Sequence, residues 1–196
     1  MDDRTDGSVL ESLVARAQHG EARAFDEIAR RCHGRIYRWA LVATGDPDDA
    51  DDVAQEVLVR LDRHLARFEG RSRFTTWLYK VTRNAAASLH RRHGAAQRAS
   101  EAMPSDGPNP SQSARWIEDM ETAELVNLVK ALFQDLPLRQ REVFDLAELQ
   151  GIPAPEVAEM LELSPATVRA HLFRARRTIR TRILMTHPAL VEDRQR

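Results

Sequence analysis

Apolar residues recur at spacings of three and four along most of this chain, and no stretch sustains the every-second-residue alternation of a half-buried strand. The pattern predicts an all-α protein. A short helix is expected from about Val9 to Gln18 and a longer one from Glu21 to about Ala43, with Gly20 and Gly45 as punctuation. The third helix has the strongest start signal: Asp46 as N-cap, Pro47 at the first helical position, and Asp48 and Asp49 where carboxylates favour the positive helix end. Its inward stripe is Ala50, Val53, Val57, Leu58, Leu61, Leu65 and Phe68, and Gly70 is expected to end it. A fourth helix, from about Ser72 to Arg92, packs through Phe74, Leu78, Val81, Ala85 and Leu89. It leaves Thr76, Lys80, Arg83, Ala87 and Arg91 outward, with Trp77 and Asn84 at the boundary.

The pattern breaks at Met103 to Ser113, where three prolines and a glycine sit among Ser, Asp and Asn. This divides the chain into a helical domain at 8–93, a flexible linker at 94–114, a second helical domain at 115–186 and a tail at 187–196. In the second domain an amphipathic helix is expected around Trp116 to Phe133, and another starting at Pro137 and reaching about Leu149. After the break at Gln150 and Gly151, a short helix from Pro155 to Leu161 precedes a long one from Pro165 to about Met185, capped by Ser164. This last pair has helix-turn-helix proportions.

Composition supports folding, with 42% hydrophobic and 30% charged residues, while 8 Gly and 6% aromatics favour helices. The net charge of -1 gives no overall attraction to DNA or to an anionic membrane, so any basic surface is local. One such surface is plain. Between Ser164 and Arg182 lie Arg169, Arg174, Arg176, Arg177, Arg180, Arg182 and His171 without one acidic residue, opposite an apolar face of Val168, Leu172, Ala175, Ile179 and Ile183. In a helix-turn-helix the start of the second helix approaches base edges, which selects Pro165, Ala166, Thr167, Arg169 and Ala170. Arg169 is the direct reader, and Arg174 and Arg177 further along are phosphate contacts.

Over about Leu13 to Arg182 the chain resembles the extracytoplasmic-function sigma factors of bacterial RNA polymerase, within the sigma-70 family. The resemblance rests on LVARAQHGEARAF (13–25), GDPDDADDVAQEVLVRL (45–61), RFTTWLYKVTRNAAASLHR (73–91) and the helix-turn-helix run from 136 to 180. It implies that Asp51, Asp52, Gln55 and Glu56 bind a pair of clamp helices on core polymerase. Helical spacing agrees, placing Asp52, Gln55, Glu56 and Val59 along one outward stripe. The family likeness also implies that the face of the fourth helix and the loop from Glu69 to Arg73 accept the melted non-template strand of the minus-ten element. The residues concerned are Arg71, Arg73, Trp77, Lys80, Arg83, Asn84 and Arg91, with Asn84 the preferred base reader. Trp77 fits either a core position or a stacking platform. Ser88 departs from the family's usual aspartate four residues after the asparagine, and the linker has fewer acids than is common, chiefly Glu101 and Asp106.

The implied partners are core RNA polymerase, promoter DNA and an anti-sigma factor of the kind common in the family. No cofactor or metal is expected, nor catalysis: Cys32 beside His33 lacks further ligands at zinc-site spacing, and no phosphate-binding glycine loop occurs. His90 and His93 read as phosphate-facing or solvated. Without an apolar run of about twenty residues or an opening signal peptide, a cytoplasmic protein with no membrane insertion is expected. Two rival readings stay open: a helix-turn-helix activator or repressor acting without replacing sigma, and an adaptor with no DNA role.

Overall fold

A computed structural model describes residues 3–100, 133 and 135–186, every element of which is helical. The chain divides into two compact units, Met1–Asn109 and Pro110–Arg196. The expected helix around Trp116 to Phe133, most of the linker and the tail lie outside the described residues.

In the first unit α1 (Asp3–Gln18), α2 (Ala22–Thr44), α3 (Pro47–His64) and α4 (Phe74–Ser100) pack around one core. The inward stripe of α2 is Ala24, Ile28, Cys32, Ile36, Trp39 and Ala40, with Trp39 meeting the edge of Tyr79 from α4 at 5.2 Å. Gly45 ends α2 in a left-handed conformation (φ +78°), and its N–H donates to Leu41 O. The start of α3 forms as expected. Asp46 Oδ1 accepts from the backbone N–H of Asp48 (2.9 Å) and Asp49 (3.0 Å). Asp46→Ala removes both acceptors and is expected to cost about 1 kcal/mol. Thermal unfolding should show this as a fall in Tm of about 4–8 °C for a unit of this size.

Two boundaries differ from expectation. Helix α3 stops at His64 and tightens into a 3-10 turn at Leu65–Arg67, before Gly70 (φ +67°) is reached. Helix α4 runs on to Ser100, past Arg92, because Gly94 is followed by good helix formers and no proline intervenes before Pro104. Its buried face is also wider than one stripe. Because α4 touches α1, α2 and α3, it buries Thr76, Tyr79, Thr82 and Ala86 besides Phe74, Leu78, Ala85 and Leu89. Thr76, expected on the outer face, is 0% exposed, and among the described residues nothing hydrogen-bonds its hydroxyl. Thr82 satisfies its own hydroxyl by donating to Leu78 O at 2.9 Å.

The second unit contains α5 (Leu138–Phe144) continuing into a π-helical turn (Asp145–Leu149), then α6 (Ala154–Leu161) and α7 (Pro165–Thr186). Helix α7 packs on both α5 and α6 through Val168 and Ala175, which are fully buried, and the half-buried Leu172, Ile179 and Ile183. Two acids are buried beside this apolar core. Glu142 pairs with Arg139 at 3.1 Å, and Asp145 accepts from the Gln150 amide. Burial also pushes the neighbouring Arg141 guanidinium below its usual pKa.

Candidate nucleic-acid interface

Three surfaces carry the residues singled out from the sequence. On α3, Asp51, Asp52 and Gln55 are exposed, and Val59 is 52% exposed, large for a valine with no described neighbour covering it. Glu56 differs from expectation. It lies half-buried at the edge of the stripe, where it ion-pairs with Arg60 and, across to α4, with Arg92 at 3.0 Å. The same edge places Asp49 3.7 Å from His93, and His90 Nε2 lies 3.3 Å from Ala43 O, so both histidines meet the N-terminal unit itself. At the head of α3, burial and the carboxylates of Asp51, Asp48 and Asp46 push the Tyr37 phenol up in pKa.

The second surface is a cleft of about 380 Å³ between the end of α3 and α4, lined by Arg60, His64, Arg67, Trp77, Val81 and Asn84. The Trp77 ring is tilted against Phe68 (5.4 Å) and Phe74 (5.7 Å) and is half-buried, so part of it packs and part faces the cleft. Asn84 is exposed at the cleft's edge. Arg73, Trp77, Lys80 and Asn84 follow one another at spacings of three and four, and Arg91 lies two turns further on, which puts all five along one side of α4, with Arg83 off that line. Arg71 is held in the preceding loop by Glu69 at 2.5 Å. Ser88 takes a bridging part: its hydroxyl donates to Asn84 O (2.8 Å) and accepts from Arg91 Nη2 (2.9 Å). A guanidinium is thus tethered without the aspartate common in the family.

The cleft's far wall was not legible in the sequence. Arg60, His64 and Arg67 were not singled out from the sequence; Arg60 and His64 stand on the last turns of α3 and Arg67 in the turn that follows, and all three line the cleft with Trp77 and Asn84. The arrangement sets Arg67, His64 and an Arg60 paired with Glu56 opposite an aromatic ring and an amide. Chemically it suits an unpaired nucleotide, with its base toward Trp77 and Asn84 and its phosphates toward the arginines.

The third surface is the solvent side of α7. Ser164 caps the helix, its hydroxyl accepting from Thr167 N–H at 3.0 Å, and Leu163 N–H reaches Ala158 O at 2.9 Å across the tight turn. The turn puts Glu162 in a left-handed conformation (φ +57°), unusual for a side chain with a Cβ. Pro165, Ala166, Arg169 and Ala170 are exposed at the leading end. Thr167 is half-buried, and its hydroxyl lies 2.8 Å from that of Ser164, so it is engaged in the cap. Arg174, Arg177 and Arg180 are exposed, whereas Arg176 pairs with Glu148 (2.6 Å) and Arg182 with Asp135 (2.7 Å). The uniformly cationic face expected from the sequence is therefore partly neutralised by acids from before α6. It also holds a residue the sequence reading passed over. Phe173 is 67% exposed amid Arg169, Arg176, Arg177 and Arg180, and its only sequence signal was an aromatic off the apolar stripe.

A helix-turn-helix with an arginine-rich second helix, carried in one chain with a cationic, aromatic-floored cleft, defines a DNA-binding protein of the transcription machinery class. The family models for sigma-70 region 2 and sigma-70 region 4 match residues 28–96 and 127–179. The chain is 31% identical over 175 residues to the RNA polymerase sigma-H factor of Pseudomonas aeruginosa, covering 86% of this chain and 91% of that protein. It is 30% identical over 178 residues to the ECF RNA polymerase sigma-E factor of Escherichia coli K12, covering 87% and 92% respectively. Among solved structures, CnrH in complex with the cytosolic domain of CnrY superposes with a TM-score of 0.67 at 24% identity, over 91% of this chain and 99% of that one, a likeness of fold. The chain belongs to the sigma-70 family, as a sigma factor of the extracytoplasmic-function group.

Proposed function

We propose that the chain binds core RNA polymerase through the exposed side of α3 and directs it to promoters by reading two DNA elements. Asp51, Asp52, Gln55 and Val59 make the polymerase contact, with Glu56 at its margin. The cleft and the outer side of α4 take the melted minus-ten strand: Trp77 stacks on an extruded base, Asn84 hydrogen-bonds it, and Arg71, Arg73, Lys80, Arg83 and Arg91 hold phosphates. Helix α7 reads the minus-thirty-five duplex through Pro165, Ala166, Thr167, Arg169 and Ala170, with Arg174 and Arg177 on the backbone. Phe173 adds an apolar surface suited to a thymine methyl. The observation that carries the reading is the cleft, because a cationic wall opposite a ring and an amide serves an unpaired base and has no use in binding closed duplex.

Polymerase performs the chemistry, so the chain acts as an initiation factor without catalysis of its own. Among the described residues no helix is long and apolar enough to cross a membrane. A cytoplasmic place of action follows from the proposed partners, and an anti-sigma factor covering the α3 and α7 surfaces is the regulator that family membership suggests.

The test is run-off transcription with purified core polymerase on a library of randomised promoters. Discrete transcripts are expected, and sequencing them gives the promoter motif. Arg169→Ala should lose about 1–3 kcal/mol of discrimination at one upstream position while leaving the downstream motif unchanged. Tight duplex binding by the chain alone, with no binding to core, would replace this reading by that of a free-standing activator or repressor.

A further inference from the structure

The turn that forms the cleft's far wall is held by a residue outside it. Leu65–Arg67 and Phe68 lie just past the end of α3, where the i to i+4 bonding of the helix has ended. Gln18, the last residue of α1, reaches 47 and 50 residues along the chain to meet them. Its Nε2 donates to Leu65 O at 3.0 Å and to Phe68 O at 2.7 Å, which uses both amide hydrogens. The reverse orientation of the amide would set its oxygen against two carbonyl oxygens, so donation is the only arrangement the geometry permits. Phe68 N–H closes the turn by donating to Leu65 O at 3.0 Å.

Two members of the site depend on this turn. Arg67 lines the cleft, and Phe68 is one of the two rings against which Trp77 rests. Between the bond from Phe68 N–H to Leu65 O and the one from Trp77 N–H to Arg73 O, residues 69–72 lie outside any helix. Gln18 itself is half-buried and is not among the residues that line the cleft. We propose that Gln18 is a positioning residue for promoter opening: its two hydrogen bonds set the Leu65–Phe68 turn, and through it the placement of Trp77 and Arg67 around an extruded base. This rests on the reading of the cleft as the site of that base.

The experiment compares Gln18→Ala, Gln18→Glu and Gln18→Lys in the full chain. Glutamate keeps the shape but replaces donors by acceptors, whereas a lysine ammonium donates to both carbonyls. One readout needs no DNA: acrylamide quenching of Trp77 fluorescence, in a chain whose other two tryptophans are replaced by phenylalanine (Trp39→Phe, Trp116→Phe). The other is permanganate reactivity of thymines in open complexes, with core polymerase on a promoter selected by the wild-type chain. In Gln18→Glu and Gln18→Ala, quenching should rise and opening should fall about tenfold, the loss expected for two net hydrogen bonds. Core binding should stay within about twofold, and Gln18→Lys should recover most of both signals.

Unchanged quenching in both defective variants overturns the proposal, as does a lysine variant no better than alanine. A loss of core binding parallel to the loss of opening makes Gln18 a general stabiliser and overturns it too. Asn84→Ala separates the proposal from the reading beneath it. If Asn84→Ala impairs opening and the Gln18 variants do not, the proposal fails alone. If quenching rises but neither Asn84→Ala nor the Gln18 variants impair opening, the cleft is not the base site, and both fall.

Discussion

Trp77→Ala is expected to slow promoter opening by a factor of about 5 to 150, the range set by stacking of one base on an aromatic ring at about 1–3 kcal/mol. Assembly with core polymerase should be unaffected, because Trp77 faces the cleft and the exposed stripe of α3 is separate from it. The substitution has a second consequence that must be measured apart. Trp77 is tilted on Phe68 and Phe74, and alanine opens a gap beside those two rings, which keep only their contact with each other at 5.6 Å among the three, so the unit also loses stability. Trp77→Leu refills the space against the two rings but offers no face for stacking. A defect shared by Leu and Ala, with the leucine variant melting close to wild type, locates the effect in base stacking. Full recovery by leucine would reduce Trp77 to a packing residue.

Asp52→Arg should weaken binding to core polymerase about thirtyfold or more, since a like charge at a docking surface costs several kcal/mol. Asp52 is exposed on α3, and surface changes of this kind usually alter stability by less than about 0.5 kcal/mol, so the loss should appear without a shift in Tm. Asp26→Arg, on the exposed side of α2, supplies the control with the same change of charge. Titration of fluorescent chain with core at two salt concentrations completes the test: the wild-type affinity should fall with added salt, and the gap to Asp52→Arg should narrow as screening increases. An Asp52→Arg chain that binds core as tightly as wild type would move the contact off this face.

Much of this was legible from the chain itself. The start of α3 is written locally, in an acid, a proline and two further acids whose roles need no tertiary partner, and the structure forms it so. Ser164 and Pro165 encode the start of α7 in the same way. The three-and-four spacing fixed which sides of α3 and α7 turn inward, and the family motifs gave the two kinds of surface. Spacing alone, however, says nothing about how many neighbours a helix has. Thr76 was assigned outward because it lies off the main stripe of α4, yet it is completely buried, on a helix that packs against three others. Glu56 was placed on the docking stripe, yet Arg92, 36 residues away, draws it to the edge.

The same distinction governs the sites. Sequence by itself determined the helices, their caps, the helix-turn-helix and the family to which the chain belongs, because each is carried by residues within a turn or two of one another. Only the tertiary structure decided that Arg60, His64 and Arg67 face Trp77 and Asn84, that Arg176 and Arg182 are neutralised while Phe173 stays bare, and that Gln18 holds the turn beneath the cleft. Those relations join residues far apart in the chain, and their energy comes from packing and pairing that exist only once the helices have met.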